Sequence, residues 1–197
     1  MTSMNENLLR RALNKLYLAS GWLAAAFLAS ICLLVVCQVV LNLLDRISGM
    51  LTGSAIGLTI PSYADFTGFF LAASTFLALA YTLRQGGHIR VTLLITNLSG
   101  KVRHIFETWC LLLATTVTLY FTWYMLGLVH ESYTYNDLSS GMIAVPIWIP
   151  QSFVFLGLVV LSIALLDELI CALAGKTPGY VGAGEKLLEN NDDEPAS

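Results

Sequence analysis

The amino-acid sequence predicts an all-α membrane protein, with four transmembrane helices, amino and carboxyl termini in the cytoplasm, and short amphipathic helices at the interface. Three observations carry that expectation. Of the 197 residues, 56% are hydrophobic and 12% charged, about half the charge of an ordinary soluble domain, which carries about 25%. Four long apolar runs, almost free of charge, each reach the ~20 residues that a helix needs to cross a hydrocarbon core of about 30 Å. The lysines and arginines then fall almost entirely on one side of those runs.

The runs are taken in order. Residues 1–15 form a cytoplasmic amphipathic segment, with Leu8, Leu9, Ala12, Leu13 and Leu16 opposite Arg10, Arg11 and Asn14, as in a helix lying in the headgroup layer. The first span covers residues 16–44, long enough to tilt or to project beyond the lipid. Arg10, Arg11 and Lys15 before it, and Ala24 to Ala26 within it, imitate a secretion signal. The apolar stretch far exceeds a 7–15-residue signal core, so it reads as an uncleaved span. The second span covers residues 62–83 behind Pro61, the third residues 105–129, and the fourth residues 147–173 behind Pro146; a missing N–H costs nothing at a helix start. Tyr133, Tyr135 and Trp148 sit where aromatic rings settle at the outer boundary. Between spans two and three, Val91, Leu94, Ile95, Leu98, Val102 and Ile105 keep helical spacing. A strand over Ile89 to Leu93 is disfavoured, because an open edge at a membrane surface leaves its backbone unpaired. Residues 174–197 are rich in glycine and acids and read as a disordered cytoplasmic tail. Together the spans make one transmembrane domain over residues 16–173.

Orientation follows from the cations. Arg10, Arg11, Lys15, Arg84, Arg90, Lys101, Arg103, Lys176 and Lys186 lie on one side and only Arg46 on the other. The positive-inside rule puts the larger set in the cytoplasm. The net charge of −3 comes from acids gathered at the end of the chain, and no basic face remains for nucleic acid. Cys32, Cys37, Cys110 and Cys171 lie in apolar runs without a CxxC pair and read as small buried hydrophobes.

Ionisable residues within spans are functional candidates by default. Asp65 lies one turn into span two near the outer face, Glu107 near the inner end of span three, and Asp167 with Glu168 near the inner end of span four. Arg84 closes span two at that inner level, where pairing with one of the acids accounts for it without chemistry. Gln38 and Asn42, four residues apart, share a face of span one, and a polar contact with Asp65 is expected. The histidines His88, His104 and His130 lie in loops or at span ends, so no haem ligation is expected. No nucleophile–base pair, phosphate loop or metal spacing stands out, and neither catalysis nor a cofactor is expected.

The most informative stretch is Arg84-Gln85-Gly86-Gly87-His88-Ile89-Arg90-Val91. Its glycine pair can end span two in a left-handed turn, and Arg84, His88 and Arg90 place cations by the negative end of the helix dipole. This stretch, together with Asp65 opening span two and the entry Ser140-Gly141-Met142-Ile143-Ala144-Val145-Pro146-Ile147-Trp148 into span four, resembles the small membrane subunit of tripartite ATP-independent periplasmic (TRAP) transporters. Gly87 to Val91 match that family's Gly-His-Ile-Arg-Val-like motif; Thr92 departs from an acid common there.

The resemblance implies a non-enzymatic permease subunit in a bacterial inner membrane. It would anchor a large elevator subunit as a heterodimer, while a periplasmic substrate-binding protein delivers an organic anion for sodium-coupled import. A four-helix redox subunit, linked to quinone or haem, and a stand-alone homo-oligomeric transporter are the alternatives.

Overall fold

A computed structural model describes residues 2–54, 56–85 and 100–174 of the chain. Four α-helices account for almost all of them: α1 (Thr2–Thr52), α2 (Tyr63–Arg84), α3 (Gly100–Tyr135) and α4 (Trp148–Leu173). All four are long and apolar enough to cross a membrane. The described residues contain no strand beyond an isolated bridge between Leu138 and Pro146.

The helices overrun the expected spans. With 51 residues, α1 is about 76 Å long at a rise of about 1.5 Å per residue. The amino-terminal stretch expected as a separate interfacial helix is the beginning of α1 itself. Helix hydrogen bonds close within the segment, so a helix without proline has no reason to stop where the lipid stops. α1 ends instead at Gly53, whose φ of 73° leaves the helical region. The second amphipathic segment falls mostly outside the described residues; its last members, Val102 and Ile105, belong to the first turns of α3. The tail beyond Ala174 also lies outside them.

The helices stand in a row, in the order α1, α2, α4, α3, with α1 only grazing α4. Phe27 of α1 ties that side together: its ring lies 5.5 Å from Phe70 of α2 and 5.0 Å from Phe153 of α4. Small residues bring the central pair close, as in bilayers generally. A Cβ on Gly157 of α4 would stand 2.6 Å from the backbone carbon of Phe76 and 2.8 Å from the nitrogen of Leu77 on α2. The half of the row toward the end of α2 holds an apolar cluster built on Tyr17, Ala80, Leu83, Leu111, Val160, Ala164 and Leu165.

The two outer helices each bury one stripe. On α1 it runs through Leu13, Tyr17, Ser20, Ala24, Phe27, Ile31, Leu34, Gln38, Leu41 and Asp45, in alternating steps of four and three, and all are buried or half-buried. That is the heptad spacing of a left-handed seam. On α3 the same rhythm picks out Thr108, Leu111, Thr115, Thr118, Thr122, Met125, Val129 and Ser132. Thr108, Thr115 and Thr122 donate their hydroxyls to carbonyls four residues back, at 2.7–2.8 Å. Across the seam the Thr122 and Ser162 hydroxyls meet at 3.0 Å. The bare side of α3 carries Trp109, Leu113, Trp123 and Tyr124. Such inversion suits lipid, where hydroxyls gain by facing protein and apolar groups lose nothing by facing out.

The cysteines differ from their expected burial. Cys32, Cys37 and Cys110 are exposed on the surface of the chain and Cys171 is half-buried. In a row, each helix offers only one or two faces to its neighbours, so most apolar positions point outward.

Candidate functional site

Two polar clusters mark opposite ends of the row. At one end, the last turn of α2 brings Arg84 to α4. Its Nη1 lies 3.2 Å from Asp167 Oδ2 and 3.6 Å from Glu168 Oε1. The guanidinium carbon stands 5.8 Å from the centre of the Tyr17 ring, on α1, within cation–π range. The Glu168 side chain is 3% exposed, whereas Arg84 and Asp167 retain 27% and 28%. The Tyr17 hydroxyl is buried and makes no hydrogen bond. One cation thus serves two carboxylates and an aromatic face from three helices. A carboxylate taken from water is tolerable only with such a partner, so the arrangement ties α1, α2 and α4 at one level. Nearby, Arg10 Nη2 lies 3.9 Å from Cys171 Sγ. Glu107 is half-buried near the inner end of α3.

At the opposite end, the α1–α2 connection folds back along α1. Asp45 Oδ1 accepts the N–H groups of Ile56 and Gly57, both at 2.7 Å. Gln38 is buried at 5% exposure; it accepts from the Ile60 N–H at 2.8 Å and donates to Asn42 Oδ1 at 2.9 Å and Thr59 Oγ1 at 3.0 Å. Gly57, at φ 79°, allows the reversal.

Asp65 goes elsewhere than to Gln38, which is taken up by the connection, and Asn42, which accepts from Gln38. Its carboxylate packs against Gly141 in the α3–α4 connection, where an added Cβ would collide with Asp65 Oδ2. Beside it, Ser62 Oγ accepts the Ile143 N–H at 2.9 Å. The connection is itself folded: Ser139 N donates to Val145 O at 2.9 Å and Ile147 N to Asp137 O at 3.0 Å, while Tyr133 and Trp148 stack edge to face at 5.5 Å. We expect Gly141→Ala to displace the Asp65 carboxylate and cost about 1–3 kcal/mol, as overpacking generally does. Thermal unfolding in mild detergent measures it, and Asp65→Ala in the same chain should recover most of the loss by vacating the space.

The structure thus joins Arg84 to Asp167 and Glu168, and Gln38 to Asn42, but separates Asp65 from the latter pair. The motif residues Gly87, His88, Ile89, Arg90 and Val91 lie outside the described residues. Tyr17, Asp45 and Gly157 escaped the sequence reading, and Gly141, though part of the entry into span four, was not paired there with Asp65. The steps of four and three along α1 are the signal that could have found Tyr17 and Asp45.

Four apolar helices, tied by an ion cluster at one end and folded connections at the other, define a multi-pass membrane protein. Residues 52–175 match the family of tripartite ATP-independent periplasmic transporters, DctQ component. The chain belongs to that family, and it is a membrane component of a TRAP transporter. Neither the curated proteins nor the solved structures contain a match to it.

Proposed function

We propose that this chain is the small permease subunit of a sodium-coupled TRAP transporter importing an organic anion, a carboxylate or a sialic-acid-like compound, and that it acts as the stationary scaffold of the large elevator subunit. The observation that carries the proposal is the one-sided packing of α1 and α3. Each buries a single stripe, and large apolar residues such as Leu33 on α1 and Trp123 on α3 remain exposed on the chain. A row of this kind offers broad apolar faces to lipid and to a larger membrane partner, while its polar groups are spent on ties within the row. A periplasmic binding protein docks transiently at the outer connections. The chain sits in the bacterial inner membrane with both termini cytoplasmic, an orientation that the division of cations supports. Residues 1–15 and 174–197 lie on the cytoplasmic side of the domain formed by residues 16–173.

The test is affinity purification of the tagged chain in mild detergent. A stoichiometric larger multi-span protein is expected to accompany it, without a haem or flavin absorbance band. Recovery of the chain alone, monodisperse and transporting when reconstituted, would overturn the proposal, as would a bound redox chromophore. Arg84→Ala and Arg90→Ala are expected to lower transport through assembly and to leave substrate preference unchanged.

A further inference from the structure

The charged and interfacial residues that bound each apolar stretch do not stand level across the row. Contacts between neighbours fix the register. Ser20 meets Leu77 and Phe27 meets Phe70 along α1 and α2, and Gln38 meets Ile60 in the connection just before α2. Gly157 meets Phe76 and Asp167 meets Arg84 along α4 and α2. Thr122 meets Ser162 and Tyr133 meets Trp148 along α3 and α4. Each pair of helices keeps nearly the same offset throughout, so the axes run close to parallel.

On the outer side, Trp148 of α4 stands level with Asp65 of α2. Asp45 of α1 lies about 18 Å farther out, and Glu131 of α3, two residues before the Tyr133 that meets Trp148, about 3 Å farther in, counting about 1.5 Å per residue. On the inner side, Lys15, Arg84 and Asp167 are level, while Glu107 of α3 lies about 14 Å farther in. Both boundaries slope the same way, outward at α1 and inward at α3. A slab of lipid perpendicular to the helices would strand the apolar outer part of α1 and the apolar inner part of α3 in water, at opposite edges and on opposite faces. A slab crossing the row obliquely covers both.

We propose that the row sits aslant in the bilayer, all four helices leaning together in the plane of the row, and that acyl chains cover the exposed residues at both overhangs. A mean slope of about 18 Å across three spacings of 8–10 Å gives a lean of roughly 35°, at the upper end of the range of transmembrane tilts. The same lean fits a first span longer than a bilayer is thick. It goes beyond the proposed function, since it concerns how the row meets lipid whichever proteins accompany it.

Nitroxide labels at Val39→Cys and Leu113→Cys, in the complex as purified and reconstituted in liposomes, test this after replacement of the native cysteines by alanine. Val39 is 59% and Leu113 63% exposed on the chain. In an upright row Val39 would stand about 9 Å outside the level of Asp65 and Leu113 about 5 Å beyond Arg84; in the slanted row both lie inside the hydrocarbon. Power-saturation spectroscopy is expected to show oxygen collisions as frequent as at Leu71→Cys, a mid-span lipid reference, and loss of collisions with a water-soluble nickel chelate. Frequent nickel collisions at either site would overturn the slant. Protection from both reagents at either site would mean that a protein partner covers the overhang, which also overturns it. Should the cysteine-free background not fold, benzoylphenylalanine at the same positions in the otherwise native chain reads the same alternatives: lipid adducts support the slant, whereas protein adducts or none overturn it.

Discussion

Gly157→Leu is expected to leave no folded protein in mild detergent, and Gly157→Ala to lower the melting temperature clearly. The reason lies in what the new side chain meets. The Cβ of even an alanine would come within 2.6 Å of the Phe76 backbone carbon, and backbone in the middle of a helix cannot swing aside as a side chain can. α2 and α4 must separate, and the row loses its central contact, to which α1 and α3 are attached on either side. Overpacking typically costs about 1–3 kcal/mol where neighbours can adjust; leucine here exceeds that range because the neighbour is rigid. A Gly157→Leu protein that melts like the parent would show that the helices do not approach so closely. Gly68, with nothing near its missing Cβ, is the control, and Gly68→Leu should be mild.

Arg84→Met has the second largest effect, for an electrostatic reason. Removing the guanidinium leaves Asp167 and Glu168 side by side on α4 without the cation that the structure places at 3.2 and 3.6 Å. Breaking a fully buried ion pair costs about 3–5 kcal/mol. Arg84 and Asp167 are about a quarter exposed, so a value toward or below the low end is expected. Asp167→Asn should cost much less, since Arg84 keeps Glu168. The triple variant Arg84→Met, Asp167→Asn, Glu168→Gln should recover much of the loss, because the penalty arises from two carboxylates deprived of this cation. Arg84→Lys should recover only part, a point charge being a poorer partner for the Tyr17 ring and two carboxylates at once. Unfolding of the four proteins in detergent supplies the comparison. A triple variant no better than Arg84→Met would assign the loss to packing instead.

The number and place of the helices were legible from hydropathy because lipid imposes a length on any apolar run. Their ends were not. Arg10, Arg11, Asp45 and Arg46 lie inside α1 although charge marks the end of its span, since hydropathy reports the solvent around a helix and not its hydrogen bonding. Of the candidate residues, Arg84 with its acids was legible because an arginine at the end of one span and two acids at the end of another leave few ways to neutralise them. The partner of Asp65 was not, for Gly141 carries no side chain to announce the contact and lies in a connection far along the chain. Tyr17 reads in sequence as an ordinary boundary aromatic; only the row places its ring beneath Arg84.

The seam on α1 has one further consequence. A stripe that repeats every seven residues looks much the same after sliding by one repeat: Leu13, Ala24, Phe27, Ile31 and Leu34 would find other apolar partners along α2. Gln38 would not. Shifted by about two turns, its amide would leave Ile60 and Thr59 behind, much as a polar residue fixes the register of soluble zippers, and the Asp45 carboxylate would leave the N–H groups of Ile56 and Gly57. Gln38 and Asp45 are thus the teeth in an otherwise smoother rack, and the height at which α1 meets its neighbours is chosen by one amide and one carboxylate.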